Sequence, residues 1–308
     1  MGQTIRIRCK NNGKVLNAPI GSTLAEIYKQ LDLGLQYGPV SARVNNKVEG
    51  LHYRVYHDKD IEYLDLYTSS GIRTYTRSLF MVLCKAVHDL YSGSEVVIDI
   101  PVSHGYYCNL RLGHEVTKAD VDKIRERMQQ IIDAHLPLQR FEATTEEAIE
   151  MFAKLGDEAK VKLLKNSSSL YTVYYVLDDY TDYYYGSMLT NTAQLTLFGL
   201  EQYYDGVLLR IPSVKDPSQL GELIKQDKMF EVFKEHHQWQ NLLGISTVGD
   251  FNEAVSKGLA TDLVNVSEAL QEKKISQIAD TIAANDKVRV VLIAGPSSVS
   301  YTHLRAHE

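Results

Sequence analysis

The hydrophobic period of this chain changes repeatedly between Thr4 and Ile211, and that property narrows its fold more than any other. TIRIRC (4–9) alternates residue by residue, as a strand with one buried face does. LAEIYKQL then puts Leu24, Ile27 and Leu31 on one side of a helix, with Ser22 or Thr23 as its N-cap. RSLFMVLCKAVHDLYSG (77–93) reads as a helix with a broad apolar face, ended by Gly93. SEVVIDIPVSHGYYCNLRL (94–112) returns to alternation and predicts a hairpin turning near His104-Gly105. TKADVDKIRERMQQIIDAH (117–135) spaces Val121, Ile124, Met128 and Ile131 for one helical face. Thr144 and Glu147 form a capping box that starts EEAIEMFAKLG, after a linker. SLYTVYYVL (169–177), QLTLFGL (194–200) and GVLLRI (206–211) read as strands. Strands and helices interleaved in this way predict an α+β fold.

The first 66 residues contain a strand, an Asn11-Asn12-Gly13 turn, a partner strand VLNAPI (15–20) and the short helix. VSARVNNKVEG adds a strand with an Asn-Asn turn, and IEYLDL (61–66) closes the unit. That order in that length describes a β-grasp topology. Residues 67–213 form a second α+β block, and 214–285 carry helical spacing throughout. Residues 286–298, DKVRVVLIAGPSS, then present a β-branched run that stops at Gly295-Pro296-Ser297-Ser298. A buried parallel strand followed at once by a glycine turn is the usual entry to a phosphate-binding loop.

Composition excludes several classes. With 44% hydrophobic and 23% charged residues the chain is neither disordered nor fibrous. No apolar run reaches the roughly 18 residues of a membrane span, and the N-terminus lacks a secretory h-region. A net charge of −6 argues against a general nucleic-acid coat, although a local basic patch is compatible with it. Three cysteines at wide spacing predict a reduced, cytoplasmic chain, and the lack of long apolar runs predicts no membrane partner. The 20 tyrosines, clustered as YTVYY, YYY and Tyr203-Tyr204, predict half-buried sheet surface or an aromatic stacking face.

GSTLAEI, ARVNNKVEGL and DIEYLDL resemble the TGS domain, the β-grasp module of threonyl-tRNA synthetases and some GTPases. In those families the module is linked to RNA or regulatory ligands, without catalysis. Arg6, Arg8 and Lys10 share one face of the first strand. They form either a stripe contacting RNA phosphates or a solvated sheet face.

Residues 67–213 resemble the second additional domain of threonyl-tRNA synthetase, which edits mischarged tRNA. LPLQRFEATTEEAIEMFAKLGDEAKVKLL carries its helix and linker pattern, and DYYYGSMLTNTAQLTLFGL its ligand loop. The resemblance implies a His-x-x-x-His helix and a Cys-x-x-x-His loop. Here those positions hold Arg77 and Met81, then Tyr184 and Met188, while Asp182 and Gly186 keep the pattern. Arginine is a permanent cation, methionine a weak ligand and tyrosine a poor base. Neither hydrolysis nor a bound zinc is expected.

The full arrangement resembles the bacterial uridine kinase-like nucleoside kinases, which carry a P-loop domain after such modules. Counting from Gly295, position 300 is serine where glycine belongs, and 301 is tyrosine where lysine belongs. Residues 299–308 read as a foreign tail. The expectation is thus an N-terminal accessory region of a kinase, inactive and holding no cofactor itself. The full-length parent would use ATP, magnesium and a nucleoside. The alternative is a TGS-containing RNA- or nucleotide-binding regulatory module.

Overall fold

The computed structural model describes residues 3–292. They divide into two compact units, within 1–236 and 237–308. The whole is an α+β arrangement of mixed and antiparallel sheets with several helices.

In the first unit a five-stranded sheet has the order β2-β1-β5-β3-β4. Its strands are β1 (Thr4–Cys9), β2 (Val15–Pro19), β3 (Ser41–Val44), β4 (Lys47–Glu49) and β5 (Lys59–Leu64). β1 and β5 run parallel, with Ile7 opposite Lys59, and the other neighbours are antiparallel. The alternation of TIRIRC is realised, for Ile5, Ile7 and Cys9 are buried and the residues between them are exposed. Helix α1 (Leu24–Tyr28) closes the core with Leu24 and Ile27, and Leu31 joins them from the turn that follows. Of the two possible caps, Thr23 is the one used, in a reciprocal box with Glu26.

Helix α2 (Ser69–Leu90) begins eight residues before the apolar pattern announces it. Ser, Gly and β-branched residues fill that extra stretch and have weak helix propensity. Burial of Ile72, Thr74, Tyr75 and Thr76 overrides it. The hydroxyls of Thr74, Thr76 and Ser78 each donate to the carbonyl four residues back, so they need no outside partner. Gly71 has no substitute here: a Cβ would stand 1.9 Å from the carbonyl oxygen of Asp65.

A four-stranded antiparallel sheet follows, ordered β11-β12-β7-β6. β6 (Glu95–Val102) and β7 (Gly105–Arg111) form the expected hairpin, with Ser103 and His104 both at φ 53° in the turn. β11 (Gly199–Tyr203) and β12 (Gly206–Arg210) complete it. QLTLFGL was expected as one strand, yet only its last two residues enter β11. The reason is local. Both backbone polar groups of Leu197 are taken by the Tyr75 hydroxyl, which donates to its oxygen and accepts from its nitrogen, each at 2.9 Å.

The third sheet, ordered β10-β9-β8, contains a strand absent from the sequence reading. β8 (Leu138–Thr144) pairs along its full length with β9 (Tyr171–Leu177), and β10 (Tyr180–Asp182) lies on the other side. β8 is LQRFEAT, mostly exposed, so it carries no apolar period to read. α4 (Thr145–Lys154) and α5 (Glu158–Lys165) pack Phe152, Val161 and Leu164 beside it.

α3 (Lys118–Asp133) buries its expected face against α2. Its capping carboxylate, Asp120, accepts from Thr117, from the Tyr91 phenol at 2.7 Å and from His114 at 3.2 Å. The Thr117 hydroxyl contributes most, and together these donors hold the Asp120 carboxyl far below the usual range. A depressed carboxyl stabilises the fold above its ordinary pKa, near 4, and that contribution fades as pH falls through the folded value. Asp120→Asn is therefore expected to lower stability by about 1–2 kcal/mol at pH 7. Thermal melts should show the gap closing towards pH 2; a gap independent of pH would contradict this assignment.

α6 (Asp227–Leu242) starts in the first unit, where Phe230 stacks on Tyr204 with ring centres 4.0 Å apart and meets Tyr107 and Tyr203 edge-on. This part of the tyrosine excess is therefore sheet surface under a helix. The second unit contains α7 (Val248–Ser256), capped by Thr247 and Asp250, and α8 (Ala260–Ala283). The expected strand at 286–298 does not form over its described part. Residues 286–292 are irregular and expose Val290 by 76% and Leu292 by 92%. A strand written for burial on both faces needs neighbours, and none pairs with it among the described residues. Gly295, Pro296, Ser297 and Ser298 lie outside the described residues. No described helix is long and apolar enough to cross a membrane.

Candidate functional site

The first unit contains a cleft of about 1140 Å³. One wall is β4 and the segment 50–56 that follows it; the other includes β8, β9 and the loop 183–187. Tyr53, Tyr56, Tyr171 and Tyr185 stand exposed around it, Tyr185 by 90%. Its cations are Lys47, Arg54 and Arg140, with His52 beside them. Glu49 pairs with Lys47 and Glu142 with Arg140, each at 2.9 Å. Burial, helped by Arg140, lowers the pKa of His52 and keeps the imidazole neutral near pH 7. Exposed aromatic rings between long cations suit a ligand that combines flat faces with negative charge.

The loop beneath the cleft is held from several sides. Lys160 Nζ lies 2.7 Å from Asp182 and 2.5 Å from Asp157, over the ring of Phe152. Burial opposes its charge, but the two carboxylates outweigh burial and raise its pKa. The Tyr180 hydroxyl and the Tyr183 amide also donate to Asp182. Tyr175 donates its hydroxyl to Gly186 O at 3.1 Å, and Arg77 Nε donates to Ser187 O at 2.9 Å. Gly186, at φ 111°, lets the arginine approach: a Cβ there would be 3.0 Å from the Arg77 guanidinium carbon.

The structure thus brings α2 and the loop together at the positions the sequence singled out. Arg77 meets Gly186 and Ser187, whereas Met81 and Met188 are fully buried in one apolar cluster. Tyr184 is half-buried and donates its hydroxyl to Cys84 Sγ at 4.0 Å. Burial, together with the nearby Asp182 charge, pushes the Cys84 thiol up to about 12, so it is no nucleophile at neutral pH. The described residues do contain one cluster of metal-ligand type, His88, Asp89 and Asp179, but the Lys85 ammonium already bridges its two carboxylates.

Arg6 and Arg8 share the exposed face of β1, Lys10 follows it in the turn, and none of the three lines the cleft. Arg6 faces Asp58 at 3.9 Å and Arg8 is bidentate to Asp60. Sequence reasoning did not single out Arg54 or Arg140. Arg140 belongs to β8, whose polar sequence gave no strand signal, while the YYY cluster did mark Tyr185.

No protein-family model matches the chain. Curated relatives do match. They are threonine–tRNA ligases. The enzyme of Desulforamulus reducens is 31% identical over 160 residues, covering 52% of this chain and 25% of the relative. That of Syntrophotalea carbinolica is 27% identical over 228 residues, 70% of this chain and 36% of the relative. Threonine–tRNA ligase 2 of Bacillus subtilis is 26% identical over 155 residues, 50% and 24% of the two chains. The chain spans between about a quarter and a third of the length of these relatives. This likeness overturns the reading of the chain as the accessory region of a nucleoside kinase, because the matched proteins are aminoacyl-tRNA ligases rather than phosphotransferases. The RNA-directed alternative accords with it.

Proposed function

We propose that the chain is an RNA- or nucleotide-binding module of regulatory type, with the cleft as its binding surface. It would combine a TGS-like unit over 1–66 with an editing-like unit over 67–213 that no longer hydrolyses. The observation that carries this reading is the cleft lining, with four exposed tyrosines interleaved with Lys47, Arg54 and Arg140. Its volume exceeds the roughly 300–1,000 Å³ of a small-molecule pocket. Tyrosines spread over both walls suit several bases of a single strand better than one mononucleotide. The sheet order β2-β1-β5-β3-β4, with α1 across it, supports the TGS-like assignment. Arg77, Met81, Tyr184 and Met188 at the four ligand positions support loss of hydrolysis without zinc.

The test is fluorescence anisotropy of labelled single-stranded RNA and of tRNA with the full chain. Base–aromatic stacking is worth about 1–3 kcal/mol per base, so Tyr185→Ala should weaken binding at least about 5-fold. Being so exposed, that substitution should leave thermal stability unchanged. Arg140→Gln should weaken binding and flatten its salt dependence. The reading is overturned if the wild-type chain shows no salt-dependent RNA binding tighter than about 100 μM.

A further inference from the structure

Along its polar edge α2 carries Arg73 and Arg77, one turn apart. Like charges at that spacing repel on a helix. Most other arginines of the first unit, Arg8, Arg43, Arg127, Arg140 and Arg210 among them, are ion-paired. Neither Arg73 nor Arg77 is paired with a carboxylate among the described residues. Arg73 reaches only Ser70 Oγ, at 3.4 Å. Arg77 spends Nε on Ser187 O and makes one long contact to Thr74 Oγ1, at 3.4 Å. A guanidinium has five donors in a planar fork, so most of the fork has no protein acceptor.

Arg77 is half-buried as well, and burial lowers its pKa. A cation taken partly out of water beside a second cation is costly without a counter-charge. Thr74 Oγ1, which takes the long Arg77 contact, lies 3.0 Å from Ser187 Oγ. Ser187 also lines the cleft. Through Gly186 and Ser187 Arg77 therefore stands at the cleft margin, with a planar fork and Arg73 as a second charge one turn away, a combination that recognises phosphate oxygens.

We propose that Arg73 and Arg77 form a phosphate subsite that takes a backbone phosphodiester of an RNA strand whose bases stack in the cleft. This rests on the RNA reading for its ligand, though not for its chemistry. The strand would be fixed in register by the phosphate and held by stacking, and Arg77 would tie the subsite to the loop through Ser187.

The experiment measures single-stranded RNA affinity of the full chain against salt, for Arg73→Gln, Arg77→Gln, Arg77→Lys and Tyr185→Ala. Removing one phosphate contact should lower the magnitude of the log–log salt slope by about 0.7, with roughly 3–10-fold weaker binding near 0.1 M salt. Arg77→Lys should keep the slope and lose part of the affinity, and Tyr185→Ala should lose affinity at constant slope. Arg73 is exposed, so its substitution tests the idea without risk to the fold. If Arg73→Gln and Arg77→Gln bind with unchanged affinity and slope while Tyr185→Ala is impaired, the subsite is wrong and the RNA reading stands. If the wild type binds no RNA, inorganic phosphate is titrated while the arginine Nε–H signals are followed by NMR. A saturable shift of the Arg77 signal, lost in Arg73→Gln, then supports a free-phosphate site without the RNA reading. No shift overturns both.

Discussion

Tyr75→Ala is expected to destabilise the first unit by about 5 kcal/mol, the largest effect of any single substitution proposed for this chain. Tyr75 is fully buried in the core that joins α2 to the sheets. Truncating a buried aromatic costs about 3–5 kcal/mol through lost transfer energy and the cavity left behind. Here the hydroxyl adds to that cost. It satisfies both the nitrogen and the oxygen of Leu197, in a segment that pairs with no strand. Tyr75→Phe separates the two contributions. It keeps the ring and strips the two hydrogen bonds, so it should cost about 1–3 kcal/mol. Urea unfolding followed by far-UV circular dichroism measures both. A loss for Tyr75→Ala below about 1.5 kcal/mol would show that the core around α2 collapses freely onto the gap.

Lys160→Met is expected to cost about 3 kcal/mol at pH 7. The substitution nearly conserves the volume packed on Phe152 but leaves Asp182 buried without its cation. Asp182 would retain the Tyr183 amide and the Tyr180 hydroxyl, which places the loss at the lower end of the range for a broken buried pair. The double variant Lys160→Met/Asp182→Asn should recover much of the loss, because no fully buried charge is then stranded: Asp157 is partly exposed and keeps the backbone amide of residue 160. Denaturation midpoints of the two single variants and the double variant form the cycle. Strict additivity would mean that the 2.7 Å contact contributes nothing and that Lys160 acts through Asp157 alone.

Elements with a strong apolar period were legible before any coordinates. TIRIRC, the 94–112 hairpin and the α3 face were read from spacing alone, and Thr144-x-x-Glu147 marked the start of α4. Three departures have physical causes. β8 is held by pairing with β9 and presents mostly polar side chains, so periodicity had nothing to detect. The first turns of α2 are made of poor helix formers that satisfy their hydroxyls internally and are buried from outside. The stretch ending at Phe198 looks like a strand, yet a side chain 122 residues earlier occupies its backbone groups. The same limit applies to the cleft. Its two walls are far apart in sequence, and although the YTVYY and YYY clusters allow an aromatic stacking face, nothing in the sequence says that the walls meet.

Met81 and Met188 are the quietest residues of the candidate site. Both are completely buried, in the same apolar cluster. On the proposed reading they replace side chains that served hydrolysis. A histidine or cysteine kept at such a position without its metal would strand a buried polar atom, at about 1–3 kcal/mol each. Methionine strands none, and its pliable thioether fills an irregular space. The usual antagonism between activity and stability is thereby reversed in direction. Once cleavage no longer mattered, discarding the ligands at 81 and 188 would have made the scaffold sturdier. Restoring the chemistry would demand several destabilising changes together before any benefit returned. On that reading the buried methionines would act as an evolutionary ratchet, holding such a lineage to recognition once catalysis was lost.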